Sequence, residues 1–326
     1  MKHIHPSAKT ADAGFVIILL ASTFLMGSSF VAGKVLLADG FPAMLLVGWR
    51  FFVAAVATLP LILIDRKNAG LRALIPPRTR WSHAMVVLVI GLLQTGAVMG
   101  LLFLAMRSIS ASAAAILLFT NPIWVAVLGR LFLGESLHRL RVAGLVLGMI
   151  GVFLAIGIGS GGPSGPAAAT GELIGLASAL CWAAATIINK RAALPLTAWS
   201  LTFWQMLLGS LALLIIAYAT GEHWPTTVTT SQWGWFVWLS IPASTGSFGL
   251  WFVALNKGGA TRTSGYLFLA PVFTVVLSFF ILNSTLSWVQ VSGGVLIAVA
   301  LWLVNREMPA RSARERTSEA LAEGEP

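Results

Sequence analysis
Charge is what this 326-residue sequence has least of. Only 10% of its residues are Asp, Glu, Lys or Arg, against roughly 25% in soluble globular domains. That scarcity, with 57% hydrophobic residues and a mean hydropathy of +0.88, excludes a water-soluble globule. Cysteine is scarcer still: Cys181 is the only one, which excludes an intramolecular disulfide and any cysteine-built metal cluster. None of the 11 acidic residues falls in the middle of an apolar run, and the 5 histidines (His3, His5, His83, His138 and His223) lie in tails, loops or run ends. The chain therefore lacks a buried carboxylate or histidine proton relay. The pattern GxxxxGK[ST] is also absent, which removes ATP hydrolysis within this chain. Catalysis would need clustered nucleophile, base or metal ligands, and these are scattered. The sequence does not read as an enzyme, and it calls for no cofactor and no metal.

What it has instead is long apolar runs. Each is about as long as the ~20 residues an α-helix needs to cross ~30 Å of hydrocarbon, and far longer than a tilted barrel strand. Lipid offers no partners for unpaired backbone groups, so these runs must be helices. Ten are expected: Phe15 to Leu36, Pro42 to Ile64, Ala84 to Ala105, Ala111 to Leu133, Val142 to Gly159, Glu172 to Asn189, Ala198 to Thr220, Trp233 to Leu255, Thr263 to Leu282 and Trp288 to Val304. The first run exceeds a signal-peptide core and has no obvious small-residue cleavage site, so it is read as part of the protein.

The runs fall into two copies of one unit. Ala105 to Leu154, laid 149 places downstream without a gap, meets itself as Ala254 to Leu303. Pro122 falls on Pro271, Phe119 on Phe268, Gly144 on Gly293, and Val146-Leu147 on Val295-Leu296. Three further runs precede each copy, so the repeat is five helices long. An odd number of spans turns the second copy over relative to the first, and inverted repeats of this kind mark secondary transporters. The fold expected is thus an all-α integral membrane protein of ten transmembrane helices in two inverted five-helix repeats. Its divisions are a tail at 1–14, a first repeat at 15–159, a Gly/Pro/Ala linker at 160–171, a second repeat at 172–304 and a tail at 305–326.

Placing both termini in the cytoplasm puts all 21 Lys and Arg residues inside except Lys34, Arg50 and Arg107, as the positive-inside rule requires. The pI near 10.9 is then a topology signal, with membrane lipid headgroups as a secondary partner. Basic residues spread among loops argue against nucleic acid.

The pattern resembles the drug/metabolite transporter superfamily, specifically proteins built from two EamA-like domains. The residues that carry the likeness are Gly27-Ser28-Ser29-Phe30-Val31, Arg50-Phe51, Asn121-Pro122, and Leu133-Gly134-Glu135 followed by Gly144, echoed by Trp182, Pro271 and Gly293. The resemblance implies ten helices, cytoplasmic termini in the cell inner membrane, and a central cavity lined by helices one, three and four and by six, eight and nine. Ser284 stands where the second copy would repeat Glu135.

Polar residues at mid-membrane depth are costly, and they usually face a cavity or a partner helix. Gln94 and Asn121 sit near the centres of helices three and four, while their repeat counterparts are Ala243 and Ala270. Both are expected to line the cavity. Tyr266, one of 2 tyrosines, offers a ring face and a hydroxyl. Trp182 either stacks on substrate or fills the bundle. Ser28 and Ser29 offer hydroxyls or close packing, with packing favoured. Arg50 either ties helix two to neighbouring carbonyls, the favoured reading, or holds a substrate carboxylate. Glu135, near Arg139 and Arg141, is a candidate gate. These residues point to a secondary transporter moving a small metabolite, an amino acid or related compound, by alternating access, with export as the direction the resemblance suggests. A gradient-driven importer or exchanger, and a non-transporting membrane sensor or assembly protein, stay open. Oligomeric state is not determined by the sequence.

Overall fold
A computed structural model describes residues 8–64, 74–75, 80–134, 139–155, 165–251, 253–254, 265–283 and 287–305. The regular structure among them is helical throughout. The helices are α1 Ala8–Ala38, α2 Ala43–Ile64, α3 Trp81–Gly91, α4 Val98–Ala105, α5 Ala111–Leu118, α6 Asn121–Leu133, α7 Arg139–Ala155, α8 Pro166–Ala192, α9 Ala198–Ala219, α10 Thr230–Ser240, α11 Leu269–Leu282 and α12 Trp288–Asn305. Among the described residues six stretches are long and apolar enough to cross a membrane: Gly14–Ala38, Ala43–Ile64, Trp81–Ala105, Ala111–Leu133, Pro166–Ala192 and Ala198–Ala219. Large apolar side chains such as Ile215, Phe280 and Trp288 face outward, as expected of a surface bathed in lipid.

Several boundaries differ from expectation. The helix expected from Glu172 begins at Pro166. Gly165 takes φ 124°, and a proline at the start has no N–H to lose. Ala167, Ala168 and Ala169 then favour helix, so half of the anticipated linker is wound into α8. The helix after Gly40 is also fixed from a distance, because the Glu222 carboxylate oxygen accepts the Leu45 backbone N–H at 2.8 Å. This serves as an N-cap supplied by another part of the chain.

Four of the expected rods are not uniform α-helix. Between α3 and α4, Leu92–Ala97 is a π-helical turn, and Ile241–Gly246 is another directly after α10. In the second, Pro242 cannot donate to the α ladder, and Ser244 Oγ donates to the Leu239 carbonyl at 2.8 Å. The rod expected from Ala111 to Leu133 is interrupted at Phe119-Thr120, immediately before Asn121-Pro122. The described part of its counterpart starts with a 3-10 turn, Gly265–Phe268, ahead of Leu269 and Pro271. The π turns at 92–97 and 241–246 are themselves 149 residues apart, the offset of the sequence repeat.

The two halves interleave. α2 packs on α9, α1 on α11, α5 and α6 on α8, and α7 on α12. Glycine makes the closest of these approaches. An added Cβ at Gly151 of α7 would lie 2.9 Å from the Gly293 carbonyl, and one at Gly27 of α1 would lie 2.5 Å from the Ala270 carbonyl. Ala111–Leu133 is the most enclosed long segment, with 76% of its most apolar window buried against 39–50% for the other five. The interrupted helix is therefore the centre of the bundle.

Candidate functional site
α1 and α8 flank the interruption. From α1, Phe30 approaches Phe119 with ring centroids 6.3 Å apart, and Phe119 meets Trp182 of α8 edge-on at 6.2 Å. Two residues before Phe30 on α1, Ser28 Oγ donates to the Leu25 carbonyl at 2.9 Å and accepts from Trp238 Nε1 of α10 at 3.0 Å. Ser29 Oγ donates to the Met26 carbonyl at 2.8 Å. Both hydroxyls are thus engaged, and Ser28 links α1 to α10.

At the break itself, Thr120 Oγ1 turns back to the Leu117 carbonyl at 2.7 Å and leaves the start of α6 without a side-chain cap. Asn121 follows, 7% exposed. Its Nδ2 and the Trp124 Nε1 are buried with no hydrogen-bond partner among the described residues.

Arg50 makes a separate junction. It is 4% exposed, its Nε donates to Ser244 Oγ at 2.9 Å, and its guanidinium lies 4.5 Å from the Phe51 ring centroid and 5.5 Å from that of Phe103. The partner is a hydroxyl in the π turn rather than the carbonyl ends anticipated from sequence. Neighbouring bonds reinforce the same contact. Thr245 Oγ1 donates to the Ala54 carbonyl at 2.9 Å, and Ser22 Oγ of α1 donates to the Ser247 carbonyl at 2.9 Å. The π turn is consequently stitched to α1 and α2 by short polar side chains inside an otherwise apolar bundle.

Gln94 lies in the other π turn, half-buried, beside Thr95 and Gly96, which face Gly209 of α9. Tyr266 is not part of the central group. It packs edge-on against Phe15 at 6.2 Å, and at 1.5 Å rise per residue Phe15 stands about 20 Å along α1 from Ser28. Glu135, the candidate gate, lies outside the described residues. Phe30 and Phe119, named from sequence only for the motif and the repeat, and Trp124 and Trp238 were not among the site residues expected from sequence. Trp124 was detectable in principle, since it stands three residues after Asn121 and so shares its helix face.

One end of the bundle is closely sealed. Lys34 Nζ donates to the Met106 carbonyl and, at 2.8 Å, to that of Ile109, a cation on carbonyls just past the end of α4. Gln232 Nε2 donates to the Asp39 carboxylate at 3.0 Å, and Trp224 packs edge-on against Phe41 and Phe236 at 5.2 and 5.6 Å.

The sequence profile of the EamA-like transporter family matches residues 14–157 and again 169–306. The chain is 26% identical over 286 residues to the uncharacterized transporter YoaV of Bacillus subtilis, covering 87% of this chain and 94% of the relative. It is 28% identical over 298 residues to a chloroplastic WAT1-related protein of Arabidopsis thaliana, covering 88% and 68%, and 29% identical over 255 residues to protein PecM of Dickeya dadantii, covering 77% and 81%. A solved crystal structure superposes with a TM-score of 0.62 at 19% identity, covering 94% of this chain and 99% of that chain. At that identity it shows the fold alone.

Proposed function
The chain belongs to the EamA-like transporter family, and we propose that it is a secondary transporter that carries a small metabolite across the cell inner membrane by alternating access. In this reading ten helices form two inverted halves, both termini are cytoplasmic, and the sealed end of Lys34, Asp39 and Trp224 is the outer one. The substrate class is an amino acid or related compound, and the direction is export.

The observation that carries the reading is the matched pair of irregularities. Each half departs from α geometry at matching registers, once in a π turn and once ahead of its proline, and Thr95, Gly96, Phe119, Thr120, Ala243, Ser244 and Thr245 at three of these four places are buried. Interrupted helices at the interface of repeats are where transporters place their substrates, because irregular backbone at membrane depth is tolerated only against protein or a cavity. Substrate then contacts the Phe119-Thr120 break, Asn121, Trp182 and the Ser28-Ser29 turn, with Gln94 at the π turn. In this reading Arg50, joined to the other π turn, and Tyr266, packed against α1, are left out of the contact set.

The test is flux in proteoliposomes holding the purified full chain, together with a growth-tolerance screen of cells overproducing it, both against a panel of amino acids and analogues. Saturable flux of at least one compound and tolerance to the same compound are expected. No flux for any compound, with protein inserted and folded, would turn the reading toward a sensor or assembly protein.

A further inference from the structure
Resting on the transport reading, we propose that Asn121 and Trp124 form a subsite for the carboxylate of the substrate. Asn121 Nδ2 and Trp124 Nε1 each donate to one carboxylate oxygen.

Both groups are donors only. An amide nitrogen and an indole N–H cannot satisfy each other, and each needs an acceptor when removed from water. Both are buried without one among the described residues, in a bundle where unpaired polar groups are costly. Three residues apart on one helix, they share a face. They stand in the first turn of the 13-residue α6, whose N-terminus is uncapped by Thr120, so the partial positive charge of the helix end adds to the donors. A ligand that meets this combination presents oxygen acceptors and negative charge. The rings of Phe30, Phe119 and Trp182 lie just ahead of α6 in the same interior, and they suit the carbon skeleton that such a headgroup carries. A phosphate dianion fits less well, because it calls for fixed cations. Arg50 is already committed to Ser244 and two rings.

The internal repeat argues that the donors are not there for packing. At the same register in the second half, Asn121 is replaced by Ala270 and Trp124 by Phe273. The ring survives and its N–H is gone. Ala270 is fully buried, and Phe273 packs edge-on against Phe24 at 5.6 Å, so this part of the fold closes well with neither donor. Only the first half keeps both.

The experiment borrows the second half's solution. Asn121→Ala and Trp124→Phe are compared with wild type in full-length protein in proteoliposomes, using amino acids and, for each, the matching amino alcohol. Each substitution is expected to raise the apparent KM for the carboxylate about tenfold, the loss of one hydrogen bond to a charged acceptor, and to raise that for the amino alcohol, whose hydroxyl accepts only a weaker neutral bond, far less. Equal effects on both ligand types, or no effect on either, would overturn the subsite. A readout independent of flux uses 15N-labelled tryptophan. The indole resonance that disappears in Trp124→Phe is expected to shift on addition of a transported amino acid and to move much less with its amino alcohol. If wild type transports nothing in the panel yet this resonance moves with a carboxylate, the transport reading fails and the subsite stands. A resonance unmoved by every carboxylate overturns the subsite whatever the flux.

Discussion
Gly209 is the position where backbone approach leaves least room. A methyl group there would lie 2.5 Å from the Gly91 carbonyl oxygen, 2.5 Å from Thr95 Cβ and 2.7 Å from the Gly96 nitrogen. Two of the three are backbone atoms, and Gly96 lies in the π turn, so no rotamer change relieves the clash and α9 must move away. Overpacking of this kind costs typically 1–3 kcal/mol, and contact with rigid backbone puts Gly209→Ala at the upper end. Alanine recovers about 1 kcal/mol of helix propensity, so the net expected loss is about 2 kcal/mol. Gly234→Ala supplies the control. Nothing lies within 4 Å of its added Cβ, and it sits inside α10, so only the propensity gain remains. Thermal unfolding of the purified variants in a mild detergent should place Gly209→Ala below wild type and Gly234→Ala at or above it. Flux should fall for Gly209→Ala even at temperatures where it stays folded, because the π turn carrying Gln94 is displaced. A Gly209→Ala protein as stable as Gly234→Ala would refute the reasoning.

Arg50→Gln, Ser244→Ala and their combination should show a coupling of about 1–3 kcal/mol in unfolding, the range for a hydrogen bond to a charged group. Arg50→Lys should not restore it, because an ammonium lacks the Nε donor and the flat stack on Phe51 and Phe103; additive single effects would remove the tie. Glu222→Ala should cost about 0.5–2 kcal/mol through the lost cap on α2, measured by the same unfolding, and Glu222→Gln should recover part of it by keeping an acceptor. Reporter fusions should place the C-terminal tail in the cytoplasm and residues 160–165 outside, and the opposite result would reverse the assigned orientation.

The helical rods were legible because the hydrocarbon requirement is severe. A run of about 20 apolar residues has few alternatives, and the 149-residue offset correctly paired Pro122 with Pro271, each beside a departure from α geometry. The departures themselves were not legible. A π turn adds one residue to a helical turn without changing composition, and Leu92–Ala97 contains neither proline nor any residue that forces it. Only Pro242 gave a local reason for the second. The start of α8 was misplaced because Gly165 and Pro166 were read together as linker, although a glycine followed by proline and alanines is also how a helix begins.

The central residues show a second limit. Sequence depth singled out Gln94 and Asn121 near helix centres and Arg50 nearer a helix end, yet depth does not reveal whether a polar group has a partner. Arg50 finds Ser244, 194 residues away, and the demand for carbonyls predicted from the charge is met by a hydroxyl that the π turn itself orients. Asn121 Nδ2 finds no partner among the described residues, and neither does the Trp124 indole N–H one turn on. The two positions therefore part company on satisfaction rather than burial: a buried cation with a bond and two rings is accounted for by the fold, whereas two buried donors on one helix face are not. What the fold leaves unsatisfied at its centre is what a ligand can supply. The asymmetry with Ala270 and Phe273 was present in the sequence from the start, and it acquired meaning only when the two donors proved to be unpaired.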